Sequence, residues 1–277
     1  MTPSSSQPLD IGNVVSAGFR LYRNHLKSYF LLALKAYCWA LVPVYGWAKF
    51  YAISATIARL SFGELVNQPE TIESANRHTN SKLWQFLLAL LLQLLIFIGI
   101  YIVYAVLIGL VVAIVAGISQ ILQNSGLLSI AIATIAAFIA IIAFSVGIFW
   151  LVVRFFISEV PLAVEDGLDA ATTITRSWNL TKYHVWRIMA IAFVALLITL
   201  PLIIIVQVAS TVLQLIFTPL INQNPAYAGL LFVLTLALSF VSGAVQLPYW
   251  QTIKAVIYYD LRARKEGLGL KLRDREI

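Results

Sequence analysis

Two stretches of this chain contain no Asp, Glu, Lys or Arg: Leu83 to Val153 and Ile188 to Ile253. Each is long enough for at least two bilayer-crossing helices of about 20 residues, and neither fits the core of a soluble domain of this size. Hydrophobic residues make up 61% of the chain and charged ones 11%, against roughly 45–50% apolar in soluble domains. The pattern predicts an all-α integral membrane protein.

Turn signals divide the apolar sequence. One segment runs from Leu83 to Leu122 and ends at Gln123–Gly126; a second fills Leu127 to Ser158. A third runs from Val185 to Phe217, where Thr218 to Gly229 reads as a turn, and a fourth extends from Leu230 to about Tyr259. The forty residues of the first exceed one straight crossing, which predicts tilt or protrusion. Before them, Tyr29 to Leu60 is apolar but broken at Pro43–Gly46, so it reads as a hairpin with short or partly re-entrant arms. Counting those arms gives about six membrane segments, with five as the alternative. Residues 1–28 form an N-terminal tail and amphipathic interfacial helix, 29–261 the multi-pass domain and 262–277 a basic tail.

Charge sets the expected orientation. The two turns after the first and third segments carry none, whereas the connectors and the C-terminal tail hold Arg and Lys. By the positive-inside tendency, connectors and C-terminus face the cytoplasm. The start of the chain lacks the basic and apolar regions of a removable signal peptide. A lone Cys38 within an apolar segment reads as a packing residue and excludes an internal disulfide.

After Asp10, a suitable N-cap, apolar residues recur at helical spacing while Arg20, Arg23 and Lys27 line up as a basic stripe. Such a helix suits an anionic headgroup layer. The tail cluster Arg262, Arg264 and Lys265 offers a second set of headgroup contacts.

The two connectors echo each other: "PETIESANRHTNSKLW" carries Arg77, Asn80, Lys82 and Trp84, and "DAATTITRSWNLTKYHVW" carries Arg176, Asn179, Lys182 and Trp186. Acids early and cations late suit a short interfacial helix, and the Trp residues fall where an aromatic belt belongs. The echo reads as a structural joint made twice, consistent with an internal parallel repeat.

No phosphate loop, zinc motif or nucleophile elbow is present, and His25, His78 and His184 are scattered. No catalytic residue, metal ligand or cofactor is assigned, and the basic residues do not form a nucleic-acid patch. Lys35, Lys49, Arg154 and Lys254 read as cations snorkelling from span ends. Gln93, Gln207 and Gln246 are the intramembrane polar candidates, and Gly109, Ala113, Gly117 and the pair Ser239 and Gly243 are small residues suited to close helix contacts.

The segments "LDIGNVVSAGFRLYRNHLKSYFLLAL", "TRSWNLTKYHVWRI" and "YYDLRARKEGLGL" together resemble a family of uncharacterised bacterial multi-pass proteins similar to the membrane domain fused to some glycerophosphodiester phosphodiesterases. "LVPVYGWAKF" resembles its cyanobacterial members. The resemblance implies an all-helical membrane domain near phospholipids, in the bacterial inner (plasma) membrane or the thylakoid; the catalytic barrel of such fusions has no counterpart here. The function expected is a non-enzymatic scaffold, assembly or lipid-organising protein whose partners are membrane lipids, another membrane protein or a second copy of itself. A small passive transporter or channel for a lipid-related or other small solute is the alternative.

Overall fold

The computed structural model describes residues 9–121 and 127–267, and every regular element among them is helical. The turn expected at Gln123–Gly126 and most of the basic tail lie outside the described residues. Ten helices follow in order: α1 (Ile11–Asn24), α2 (Leu26–Ala40), α3 (Tyr45–Leu65), α4 (Ile72–Ser81), α5 (Leu83–Ile121), α6 (Leu127–Arg154), α7 (Glu159–Val164), α8 (Ala170–Thr181), α9 (Val185–Gln223) and α10 (Ala226–Glu266).

Four candidate spans are long and apolar enough to cross a membrane: Leu83–Ile118, Thr134–Val164, Val185–Gln223 and Ala226–Glu266. The remaining two of the six segments are the arms of the broken hairpin, α2 and α3. With 15 residues, α2 reaches about 22 Å, short of the ~30 Å hydrocarbon core. Helix α3 carries Lys49, Arg59 and Glu64 and buries Ser54, Thr56 and Ser61. The hairpin itself is present. Val44 takes a positive φ of 60° at its turn, and Gly46 lies so close to Trp39 that any Cβ would run into the Trp39 carbonyl.

The core lies at one end of the molecule. Helix α3 is lined with Ala48, Ala52, Ala55 and Ala58, small enough for neighbours to approach from several sides. Against it pack α2, α4, α5, α7 and the C-terminal half of α10. One apolar cluster joins Val14 and Tyr22 of α1 to Ile188 of α9 and to Tyr249, Ile253 and Tyr258 of α10. A second joins Ala48, Ala52 and Ala55 of α3 to Leu83, Phe86 and Leu87 of α5 and Leu162 of α7. The first two turns of α5 are therefore built into this end, and the rest of its 39 residues runs on as an exposed apolar rod.

Several expected boundaries move. The N-terminal helix breaks at His25, so Arg20 and Arg23 lie on α1 but Lys27 lies in the first turn of α2. The turn expected at Thr218–Gly229 shrinks to Asn224 and Pro225, because α9 continues through Pro219. A proline removes one ladder bond and breaks a soluble helix, but helices in membranes accommodate it. Arg262, Arg264 and Lys265 complete α10 rather than beginning a separate tail. Cys38 is exposed on α2 and does not pack in the core. Gly109 and Gly117 have nothing within 4 Å of a built Cβ. Of the glycines at the expected helix contacts only Gly243 makes one, and it does so against Tyr37.

Candidate functional site

A cavity of about 370 Å³ opens between the α2–α3 hairpin and α10. Tyr37 of α2 and Phe50, Tyr51 and Ser54 of α3 form one wall, and Gly243, Gln246, Leu247 and Trp250 of α10 form the other. Gly243 makes this geometry: lacking a side chain, it lets the Tyr37 ring lie directly on the α10 backbone.

Charge sits at the cavity floor. The chain leaves α6 at Arg154, turns, and restarts as α7 with Glu159 in its first turn, where a carboxylate suits the helix dipole. Gln93 fixes the turn by accepting from Ser158 (2.9 Å), and Thr173 donates to the Ser158 carbonyl (2.6 Å). Glu159 Oε1 then lies 2.5 Å from Lys254 Nζ and accepts from Gln251 Nε2 at 2.9 Å. The two charges cancel, and Lys254 also lies over the Phe156 ring. Gln251 is only 5% exposed, and its Oε1 has no hydrogen-bond partner. An unpaired buried acceptor costs about 1–3 kcal/mol unless a donor reaches it. A neutral or zwitterionic group matches this combination of paired charge and aromatic walls.

The membrane glutamines separate. Gln246 lines the cavity, bonding Ser242 Oγ at 2.9 Å; Gln93 holds the α6–α7 turn, and Gln207 faces outward on α9. They do not converge on one path.

The cationic candidates also divide. Arg20, Arg23 and Lys27 are all exposed. Arg262 is engaged by Glu266 (2.9 Å), Arg264 by Asp260 (3.0 Å) and Lys265 by the Asn179 carbonyl (2.5 Å). Two of these pairs are i,i+4 contacts within α10, and Lys265 and Arg264, the latter donating to the Leu9 carbonyl, tie its end to α8 and to the start of the chain. Arg187 joins them, pairing with Asp260 at 2.5 Å and donating to the Leu9 carbonyl.

Each connector forms the short helix expected of it. Thr71 caps α4, and Asp169 caps α8 through a reciprocal bond with Thr172. The same bonds hold the Asp169 carboxyl below its usual range. Lys82 and Lys182 are the two C-caps, and Trp84 and Trp186 stand exposed at the next helix starts. The residues inside the echo are not equivalent, however. Arg77 is exposed, whereas Arg176 bridges Glu165 (3.0 Å) and Glu266 (2.5 Å), which hold its guanidinium above its ordinary pKa despite burial. Asn80 accepts from Lys49 (3.0 Å), whereas Asn179 offers only its backbone carbonyl. Buried positions fall at Ala75 and Thr79 in α4 but at Ala170, Thr173, Ser177, Leu180 and Thr181 in α8, none of them the counterparts of Ala75 and Thr79 in the sequence match.

Two features escape a reading of the sequence. Arg59 donates to the Ala163 carbonyl (2.7 Å), and Lys82 to those of Leu162 (3.2 Å) and Glu165 (2.8 Å). Two cations thus satisfy the open C-terminus of α7, which nothing in its six residues foretells. Glu159 reads as a connector acid and Lys254 as a snorkelling cation; only the fold joins them. The signal available was a lysine with apolar neighbours on both sides, which calls for a partner.

Among the described residues no group of three or more His, Cys, Asp or Glu is placed to hold a metal ion. His25 lies 2.5 Å from Glu64, and His78 lies 3.9 Å from Asp166. No curated protein and no solved structure matches the chain. A family model does match, over residues 49–261, from the middle of the hairpin to the end of the buried part of α10. The chain belongs to this family, the domain of unknown function DUF7847.

Proposed function

We propose that this is a non-enzymatic multi-pass membrane protein that organises lipid, or recruits a membrane partner, at the cytoplasmic leaflet. The observation that carries the reading is the cavity beside α10, where the paired charge of Glu159 and Lys254 and the aromatic walls match the polar head of a lipid or a lipid-derived solute. Exposed Arg20, Arg23 and Lys27 then hold the anionic surface around it.

In this reading the four long helices cross the bilayer, both termini are cytoplasmic, and the α2–α3 hairpin enters from the cytoplasmic side without crossing. Exposed Leu41, Val42, Val44 and Trp47 at the hairpin tip favour contact with acyl chains. The membrane is the bacterial inner membrane or the thylakoid. The likeness to membrane domains fused to glycerophosphodiester phosphodiesterases, and the parallel repeat, are part of this proposal. They agree with a headgroup-sized cavity and with the two capped connector helices.

A second reading, a passive carrier or channel for a lipid-related solute, draws on Gln246 at the cavity wall. Copurification from native membrane, with mass spectrometry of proteins and lipids, separates the two. A lipid or protein retained in stoichiometric amount supports the organising role. Recovery with neither, together with solute flux in proteoliposomes, moves the function to transport.

A further inference from the structure

Arg154 ends α6 with its side chain almost wholly enclosed: the residue is 5% exposed. Its guanidinium carbon lies 4.4 Å from the Trp150 ring and 4.0 Å from the Trp178 ring. One nitrogen, Nη2, donates to the Lys182 carbonyl at 3.3 Å, while Nε and Nη1 have no partner. Two further cations stand at the same end of α8. Lys182 is its C-cap and Lys265 donates to the Asn179 carbonyl. Both ammonium groups lie 5.4 Å from the ring of Tyr183.

Helix capping and stacking on indoles account for part of this arrangement. The end of α8 offers roughly half a negative charge, and each aromatic face a further modest attraction. Against that stand three full positive charges, and a guanidinium does not lose its proton in a protein. Nearby carboxylates are committed elsewhere: Asp260 to Arg187 and Arg264, Glu266 to Arg176 and Arg262. Among the described residues no ion pair includes Arg154, Lys182 or Lys265. Among the described residues no anion completes the balance. Lys182 and Tyr183 are exposed beside Trp186, at the start of a membrane-crossing helix, where the phosphates of a bilayer lie.

We propose that Arg154, Lys182 and Lys265 form a phosphate site that takes the headgroup of an anionic phospholipid. Lys182 and Lys265, both exposed, contact the phosphate, and Arg154 supplies a fixed charge behind them. The proposal rests on the lipid-organising reading and names a site for it away from the α1 stripe and the cavity.

The test uses the full-length protein, delipidated in a neutral detergent and titrated separately with phosphatidylglycerol in mixed micelles and with inorganic phosphate. Bound lipid is counted by native mass spectrometry and affinity is read from thermal stability. Wild type is expected to retain one phosphatidylglycerol. The exposed pair Lys182→Ala/Lys265→Ala, which leaves the core untouched, is expected to weaken it by roughly thirty-fold, the effect of two surface cations on an anionic lipid. Inorganic phosphate binding as tightly as the lipid keeps the phosphate site but overturns the lipid as its source. No saturable binding by wild type, or undiminished binding by the double variant, overturns the proposal. If the double variant binds normally while Arg20→Gln/Arg23→Gln/Lys27→Gln does not, this site fails and the lipid-organising reading stands. Equal indifference of wild type and both variants to phosphatidylglycerol overturns this site and also the anionic contact assigned to the α1 stripe.

Discussion

Glu159 and Lys254 meet at 2.5 Å across 95 positions of sequence, joining the short helix α7 to the last span. The Glu159 side chain is 7% exposed, so it sits in a poorly solvated place against one ammonium and one amide. Removing one member leaves the other charge without compensation. Lys254→Met is expected to destabilise the protein by about 3–5 kcal/mol, and adding Glu159→Gln should recover most of that loss. Thermal unfolding of the singles and the double checks it. Additive losses would show that the pair does not couple.

Arg59 carries two duties. It pairs with Glu70 at 2.5 Å and donates to the Ala163 carbonyl at the end of α7. Arg59→Gln should cost about 1.5–3 kcal/mol, the range of hydrogen bonds to charged groups. Hydrogen exchange should rise locally in α7 and at Glu70–Ile72. An increase spread evenly over the molecule would argue against a local cap.

Gly46 and Gly99 make a matched contrast. A methyl group at Gly46 meets the backbone of Trp39, whereas one at Gly99 meets nothing within 4 Å. Gly46→Ala is expected to cost about 1–3 kcal/mol, the usual range for overpacking. Gly99→Ala should be neutral or slightly stabilising. Equal effects in a thermal melt would mean that the hairpin turn is not packed as described.

Acid should loosen the connector end. Burial first, then Arg264, Lys265 and Arg187, lower the pKa of His184; burial, Arg59 and Lys82 lower that of His78. Above the unfolded value of about 6.5 both states are neutral and stability does not depend on these groups. As pH falls through that value the unfolded chain takes up protons first, so stability declines. The melting temperature is expected to be lower at pH 5.5 than at pH 7.5, and His184→Gln/His78→Gln should flatten the slope. A midpoint that rises on acidification would contradict the sign.

The helical class and membrane character were legible because Leu83–Val153 and Ile188–Ile253 carry no charge. So were the hairpin, marked by Pro43–Gly46, and both connector helices, marked by early acids and late cations. What periodicity cannot convey is which side chains meet. Arg77 and Arg176 occupy matching places in the echo, yet one is exposed and the other binds two acids. The sequence pattern records the element, and the neighbours decide the contact. Pro219 misled in the same way: it reads as a stop, but a helix can absorb it where neighbouring groups or local adjustment satisfy the freed carbonyl. Arg154 read as a snorkelling cation because nothing near it in sequence tells that Trp178, on another helix, would close over it.

Selective contact with anionic lipid through Arg20, Arg23 and Lys27 is the part of the proposed function open to direct measurement. It is tested most directly by reconstituting wild type and Arg20→Gln/Arg23→Gln/Lys27→Gln in phosphatidylcholine bilayers and measuring, by electron paramagnetic resonance, the association of spin-labelled phosphatidylglycerol relative to spin-labelled phosphatidylcholine. A ratio well above one is expected for wild type, falling toward one in the variant, each lost cation weakening the preference by about 1 kcal/mol at most. A wild-type ratio of one would contradict it.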